Sequence, residues 1–302
     1  MIGSPIVLSS PIVFSAVAGA VGTASDPSNL RTPEGEAMLV DDIQLWIKGR
    51  GQAGGRWHEW EVNVGKAKLT DGYIPPALCT RVEDAFTAAM SSAMDRQVFL
   101  WSFARPLYVP LGIVLQVKVR AGSASCSANV AIRGRILPKG YPEPATAQVP
   151  YAVSFRPGII HPDADESDVK QFIYKSNASD LANPFAVPLN LQRFVMGSSG
   201  AVGSSDRDYI AQDDPGLYAP TRFFPNVQLY DQHGAPILRE MVKLAQVCSA
   251  IRGEWAVKHT MQPREVIYAT VDQTHALTVG ANPAQVGIGM IGWREVPLSE
   301  VK

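Results

Sequence analysis

Apolar and polar positions alternate along much of the chain from residue 36 onward. Met38 to Lys48 places Met38, Val40, Ile43, Leu45 and Ile47 on one side, the near-two-residue period of a half-buried strand. Trp57 to Val64 and Ala67 to Thr70 follow, split by Gly65 and closed by the turn dipeptide Asp71-Gly72. Val98 to Phe103, Ile113 to Val119 and Asn129 to Leu137 complete a first set of strands. The period changes once. Thr80 to Met94 sets Val82, Phe86, Ala89, Met90 and Ala93 on one stripe, with Thr80 as N-cap and Glu83 as its capping-box partner, which predicts a helix.

From residue 138 the text becomes rich in proline (Pro138, Pro142, Pro144, Pro150, Pro157) and then acidic, as in a linker. The grammar of the first half then returns. Val187 to Gly197 mirrors Val40 to Gly49. The strand ending Leu69-Thr70-Asp71 is matched by one ending Leu229-Tyr230-Asp231, and Pro76-Ala77-Leu78 by Pro236-Ile237-Leu238. Arg239 to Ala250 again carries helical spacing at Met241, Leu244, Ala245 and Cys248. Trp101 answers to Trp255, Pro110 to Pro263, and Gly134 to Gly289. Their common order predicts a tandem duplication, with Trp101 and Trp255 as paired core anchors.

Short strands at 8–12-residue spacing, with one helix per half, point to sandwiches rather than to a parallel sheet with crossover helices. About 115 residues per half suits an eight-stranded jelly roll built from two Greek keys. The fold class predicted is therefore all-β: two tandem eight-stranded jelly-roll sandwiches, each with one inserted short helix. The predicted organisation is an apolar N-terminal arm over 1–35, a first roll over 36–150, a proline-rich and acidic linker over 151–183, and a second roll over 184–302.

Charge sharpens this picture. Only 18% of the 302 residues are charged and the net charge is −1, below the usual quarter for soluble domains. Such a balance argues against sequence-independent nucleic-acid binding, which needs a basic excess, and no direct nucleic-acid partner is expected. Residues 1–25 contain no charge, yet Pro5, Pro11, Gly19 and Gly22 interrupt them, so an arm packed on a neighbouring subunit or on an apolar surface is expected rather than a spanning helix. Ile6, Val7, Ile12, Val13 and Phe14 are its candidate contact residues. Cys79, Cys126 and Cys248 form no CxxC pair, which speaks against structural zinc or a disulfide framework.

Catalytic signatures are sparse. The five histidines (His58, His161, His233, His259, His275) include no HxH pair of the kind a metal-binding sandwich enzyme uses. There is no GxSxG, and Gly197 to Ser205 reads as a flexible loop. Asp163, Asp165, Glu166 and Asp168 form the one dense oxygen cluster; they read first as a solvated linker and second as a cation candidate. Tyr218, Arg222, Phe223, Phe224 and Tyr230 could form a sugar-stacking patch, but strand aromatics more often serve a core or an interface. No catalytic residue and no cofactor is expected.

The doubled unit, the strands PLYVPLGIVLQVKVRA (Pro106 to Ala121) and SANVAIRGRI (Ser127 to Ile136), and the apolar N-terminal segment together resemble the double jelly-roll major capsid proteins of adenoviruses and tailless, lipid-containing bacteriophages. The resemblance covers nearly the whole chain. It implies a structural coat protein, not an enzyme, that forms homotrimers whose six rolls make a pseudo-hexagonal capsomer tiling an icosahedral shell. It further implies contacts with neighbouring capsomers, with penton or minor capsid proteins and with an internal lipid membrane, in a virion assembled in the host cytoplasm. Two alternatives belong to other classes: a bicupin-like metalloenzyme and a β-sandwich attachment protein that binds glycans.

Overall fold

The computed structural model describes residues 3–14, 21–24, 27–33, 35–48, 58–76, 79, 81–82, 96–121, 127–155, 159–160, 172–176, 181–202, 205–207, 226–238, 242–243, 254–273 and 284–302. These residues are almost entirely β. The first half contributes β1 (Ser4–Val13), β2 (Val21–Ala24), β3 (Met38–Lys48), β4 (Glu59–Val64), β5 (Ala67–Lys68), β6 (Arg81–Val82), β7 (Arg96–Val109), β8 (Leu115–Arg120) and β9 (Ser127–Ile136). The second contributes β10 (Thr146–Phe155), β11 (Ile159–Ile160), β12 (Phe172–Lys175), β13 (Leu189–Val202), β14 (Ser205–Arg207), β15 (Asn226–Tyr230), β16 (Val242–Lys243), β17 (Glu254–Met261), β18 (Tyr268–Gln273) and β19 (Ala284–Pro297).

Strand order settles the architecture. In the first half, β1-β9-β3-β7 lie side by side, as do β5-β4-β8-β2, and the two sets join at the β1–β2 corner through Ile12↔Ala24. Leaving aside the short edge strand β6, the sheets run first-eighth-third-sixth and second-seventh-fourth-fifth in chain order, the double Greek key of a jelly roll. The second half gives β10-β19-β13-β17 and β12-β18-β15-β16, which is the same permutation once β11 and β14 are set aside. The chain is one roll built twice.

Burial follows the alternation. Met38, Val40, Ile43, Leu45 and Ile47 of β3 face the first core together with Trp60, Trp101, Val117 and Ile132. Phe194, Tyr151, Leu229 and Met290 belong to the second core. The outward side of β4 and β8 is instead a ladder of ion pairs, Lys118–Glu61 at 3.6 Å and Arg120–Glu59 at 2.8 Å, the solvated face of an antiparallel sheet.

Several expectations change. Residues 4–13 are not an arm: β1 pairs with β9 from Ser4↔Ile136 to Ile12↔Ala128. Ile6, Leu8, Ser10 and Ile12 point inward while Pro5, Val7, Ser9, Pro11 and Val13 point outward, so an apolar segment broken by prolines is an edge strand, where a missing N–H costs little. The first roll therefore begins at residue 4, not 36. The second begins at β10, which straddles the expected boundary, with residues 146–150 in the expected first roll and 151–155 in the proposed linker, and the connector shrinks to residues 137–145. Gly197 to Val202 continue β13 into a hairpin with β14 instead of forming a loop. Leu229-Tyr230 end β15, the counterpart of β4, so their match to Leu69-Thr70 does not hold. Arg81–Val82 and Val242–Lys243 are strand where the helices were expected; the rest of those helical segments (80, 83–94, 239–241 and 244–250) and the acidic cluster at 163–168 lie outside the described residues.

Candidate assembly site

A β-bulge repeated in both rolls positions the site. In β3 the register slips between Val40, opposite Gly134, and Asp42, opposite Arg133, leaving Asp41 as the extra residue. In β13 it slips between Leu191, opposite Gly292, and Arg193, opposite Ile291, leaving Gln192. The sequence carries the signal: apolar positions step by three from Val40 to Ile43 and from Leu191 to Phe194 instead of by two. On the other side of each bulge the sixth strand also loops out. Between β7 partners Ser102 and Leu107 lie residues 103–106, and between β17 partners Ala256 and His259 lie Val257 and Lys258.

The bulge of β7 is the hinge of the molecule's packing. Phe103, Ala104 and Arg105 seat on the outward face of the second roll against Pro150, Gln192, Ile291 and Trp293, with a residual void of ≈ 10 Å³. The Arg105 guanidinium lies 5.6 Å from the centre of the Trp293 ring, a cation–π arrangement, and Arg193 donates to the Ser102 carbonyl at 3.5 Å. Alongside, Ala152 of β10 donates its N–H to the Leu69 carbonyl and accepts from the Asp71 N–H, both at 2.9 Å. Ala152, Val195 and Ile291, although outward on their own sheet, are buried in the first roll's core cluster. One roll's edge thus covers the next roll's face.

The same face on the first roll is covered by none of the described residues. By register, Pro5, Val7, Asp41, Arg133, Gly134 and Arg135 stand where Pro150, Ala152, Gln192, Ile291, Gly292 and Trp293 stand in the second roll. They line an open groove of ≈ 550 Å³. Val7 is 63% exposed where its counterpart Ala152 is 0% exposed. Two ion pairs form the groove wall, Arg133 Nε–Asp42 Oδ1 at 2.7 Å and Arg135 Nη2–Asp41 Oδ1 at 2.8 Å. The Arg135 Nε is shut off from solvent without a hydrogen-bond partner.

The seam between the cores holds a buried cation. Arg294 is 1% exposed, stacks 3.7 Å over Phe185 and donates to the Lys68 carbonyl of the first roll at 3.1 Å. Burial pulls its pKa down to about 10. Tyr151 lies beside it; burial raises its phenol, and the charge of Asp71 adds to the rise without reaching hydrogen-bond geometry.

Of the residues singled out from sequence, Ile12 is buried, Ile6 and Phe14 pack on the first core, and Val7 and Val13 face outward. Trp101 is a core anchor, tilted against Trp60 at 5.9 Å and edge-on to Phe103 at 5.5 Å. Trp255 pairs with Phe194 as Trp101 pairs with Ile43, so the two tryptophans are equivalent in register. His58 is buried. Cys79 accepts a hydrogen bond from the Trp60 indole at 3.0 Å, and burial pushes its thiol pKa up, away from reactivity. His259 and Glu265 meet at 2.9 Å and brace the turn after β17, where Glu265 also accepts from the Gln262 N–H. Among the described residues no three His, Cys, Asp or Glu side chains converge as a metal site.

No protein-family description and no curated protein matches the chain. Solved structures do. The chain is similar to the major capsid protein P2 from bacteriophage PM2, at 12% identity over 96% of this chain and 98% of that one, with a TM-score of 0.42. It is similar to a chain of the Sputnik virophage, at 8% identity over 100% and 88% with a TM-score of 0.39, and to the mavirus major capsid protein, at 6% identity over 96% and 87% with a TM-score of 0.35. The double jelly roll itself rests on the strand order of this chain.

Proposed function

We propose that the chain is the coat subunit of an icosahedral virus shell, acting by self-assembly and not by catalysis. The observation that carries this reading is the head-to-tail packing of two rolls of one topology, which leaves one roll face and one roll edge uncovered among the described residues. A contact between unlike surfaces closes into a ring when repeated at the right angle. Three chains then give six rolls, a six-sided block suited to tiling against neighbouring capsomers and against penton or minor capsid proteins. The proteins of similar structure bear the names of capsid proteins, and the near-zero net charge suits a shell whose subunits must approach one another.

The shell belongs to a membrane-containing bacteriophage and assembles in the host cytoplasm before residing in the virion. Among the described residues of the former arm, Val13 and Val21 at the β1–β2 corner are exposed and meet the lipid. Flotation with neutral lipid vesicles tests that part: Val13→Asp reduces flotation, and unchanged flotation removes the lipid contact.

Native mass spectrometry of the purified protein tests the central reading. The expected species has three times the 32.6 kDa of one chain, and micrographs show hexagonal blocks. A single-chain mass at every concentration up to the micromolar range overturns it, as would stoichiometric metal with turnover of a small substrate.

A further inference from the structure

Within one chain, a bulge on the sixth strand of the first roll fills a socket on the second, and the equivalent socket on the first roll stands open. We infer that the groove lined by Val7, Asp41, Arg133 and Arg135 receives the β17 bulge, centred on Lys258, from a second copy of this chain. The inference rests on the shell-subunit reading and adds to it the residues through which one copy grips the next.

Geometry and charge both select this occupant. β17 is the register equivalent of β7, and its bulge at Val257 and Lys258 opposes Gln192 as residues 103–106 oppose Asp41. Ala256, Lys258 and Thr260 are exposed, so no described part of the chain covers the outward side of this edge. The chemistry of the socket changes in step with what would enter it. The filled socket offers Trp293 as a platform for Arg105; at the same register position the open one has Arg135, which would repel a cation. Instead, Asp41 replaces Gln192, and its side chain is 40% exposed beside its pair with Arg135, which leaves oxygen lone pairs turned to solvent for an incoming ammonium. Lys258, in the equivalent bulge, supplies that ammonium.

The test places single cysteines at the two ends of the contact, Val7→Cys and Lys258→Cys, in one chain, and treats the assembled protein with a short bismaleimide. Covalent ladders up to three chains, absent from wild type and from either single variant, are expected. Lys258→Glu, a change at an exposed position, is expected to weaken assembly about 10- to 100-fold by placing a carboxylate against Asp41, while the thermal unfolding of the isolated chain stays at the wild-type temperature. Trimers that form without the cross-link and tolerate Lys258→Glu overturn this inference and leave the shell-subunit reading standing. A wild-type chain that never leaves the monomeric state overturns that reading and this inference together.

Discussion

Gly134 and Gly292 hold the same post in the two rolls. Each faces the bulge of the neighbouring strand so closely that a Cβ would come within 2.1 Å of the Leu39 carbonyl oxygen in the first roll and 2.5 Å of the Asn190 carbonyl oxygen in the second. The obstacle is backbone in both cases, so it cannot rotate aside. Conservation of that close approach across the internal repeat ties the bulge, and with it the socket, to the absence of a side chain.

Gly134→Ala and Gly292→Ala should therefore each destabilise the protein by about 2–4 kcal/mol, at or beyond the upper end of overpacking costs. Urea midpoints at constant slope measure this. A loss under about 0.5 kcal/mol in either variant would show that the strands relax apart and that the bulge is soft.

Trp101→Ala removes a fully buried indole that touches Trp60 and Phe103. The expected loss is about 3–5 kcal/mol. A value below about 1 kcal/mol in denaturant titration would remove its anchoring role.

Arg294 separates packing from charge. The guanidinium is buried with one backbone acceptor, and its Nε has no partner; replacing such a group by an apolar side chain of similar length is often neutral or stabilising. Arg294→Met should stay within about 1 kcal/mol of wild type or exceed it, whereas Arg294→Ala, which empties the space over Phe185, should lose about 2–5 kcal/mol. Equal losses in both variants would mean that the charge itself holds the seam.

Alkaline pH probes Cys79 and Tyr151, two of the three described acids that burial raises, Tyr108 being the third. Burial lifts the Cys79 thiol above its ordinary 9.0 and the Tyr151 phenol above its ordinary 10.0. Each group therefore keeps its proton in the folded state while the unfolded chain releases it, so stability is whole below pH 9 and falls as pH rises past 9 and then 10. Tyr151→Phe should reduce the fall above pH 10, to which the raised Tyr108 also contributes, and, because the Tyr151 hydroxyl has no partner, leave neutral-pH stability unchanged or about 1 kcal/mol higher. Chemical denaturation at pH 7, 9.5 and 10.5 checks both; a wild-type curve flat from pH 7 to 10.5 would contradict the burial of both groups.

The duplication was legible because strand-facing residues repeat with it. Trp101 and Trp255 lie in identical register, and the alternation of β3 marks the true core face. The Gly134 match went to Gly289 instead of Gly292, three residues short, because loops of unequal length erase any constant offset. Charge misled at the start of the chain. A strand whose outward side carries Val7, Ser9, Pro11 and Val13 lacks the polar alternation by which a half-exposed strand is known, so it looked like an arm. The socket was not visible at all, since it depends on a register slip in one strand, a glycine about ninety residues later, and a bulge in a third strand.

Leu298 and Val301, the last apolar residues of the second roll, are buried in the core of the first, and the Val301 carbonyl closes over Gly65. The opening roll therefore cannot seal its own base until translation has passed residue 301. A chain that stops short of Leu298 presents an unplugged sandwich. Ending synthesis after Pro297 should leave the leading roll susceptible to protease around Gly65, so the order in which the polypeptide emerges sets when that sandwich is stoppered.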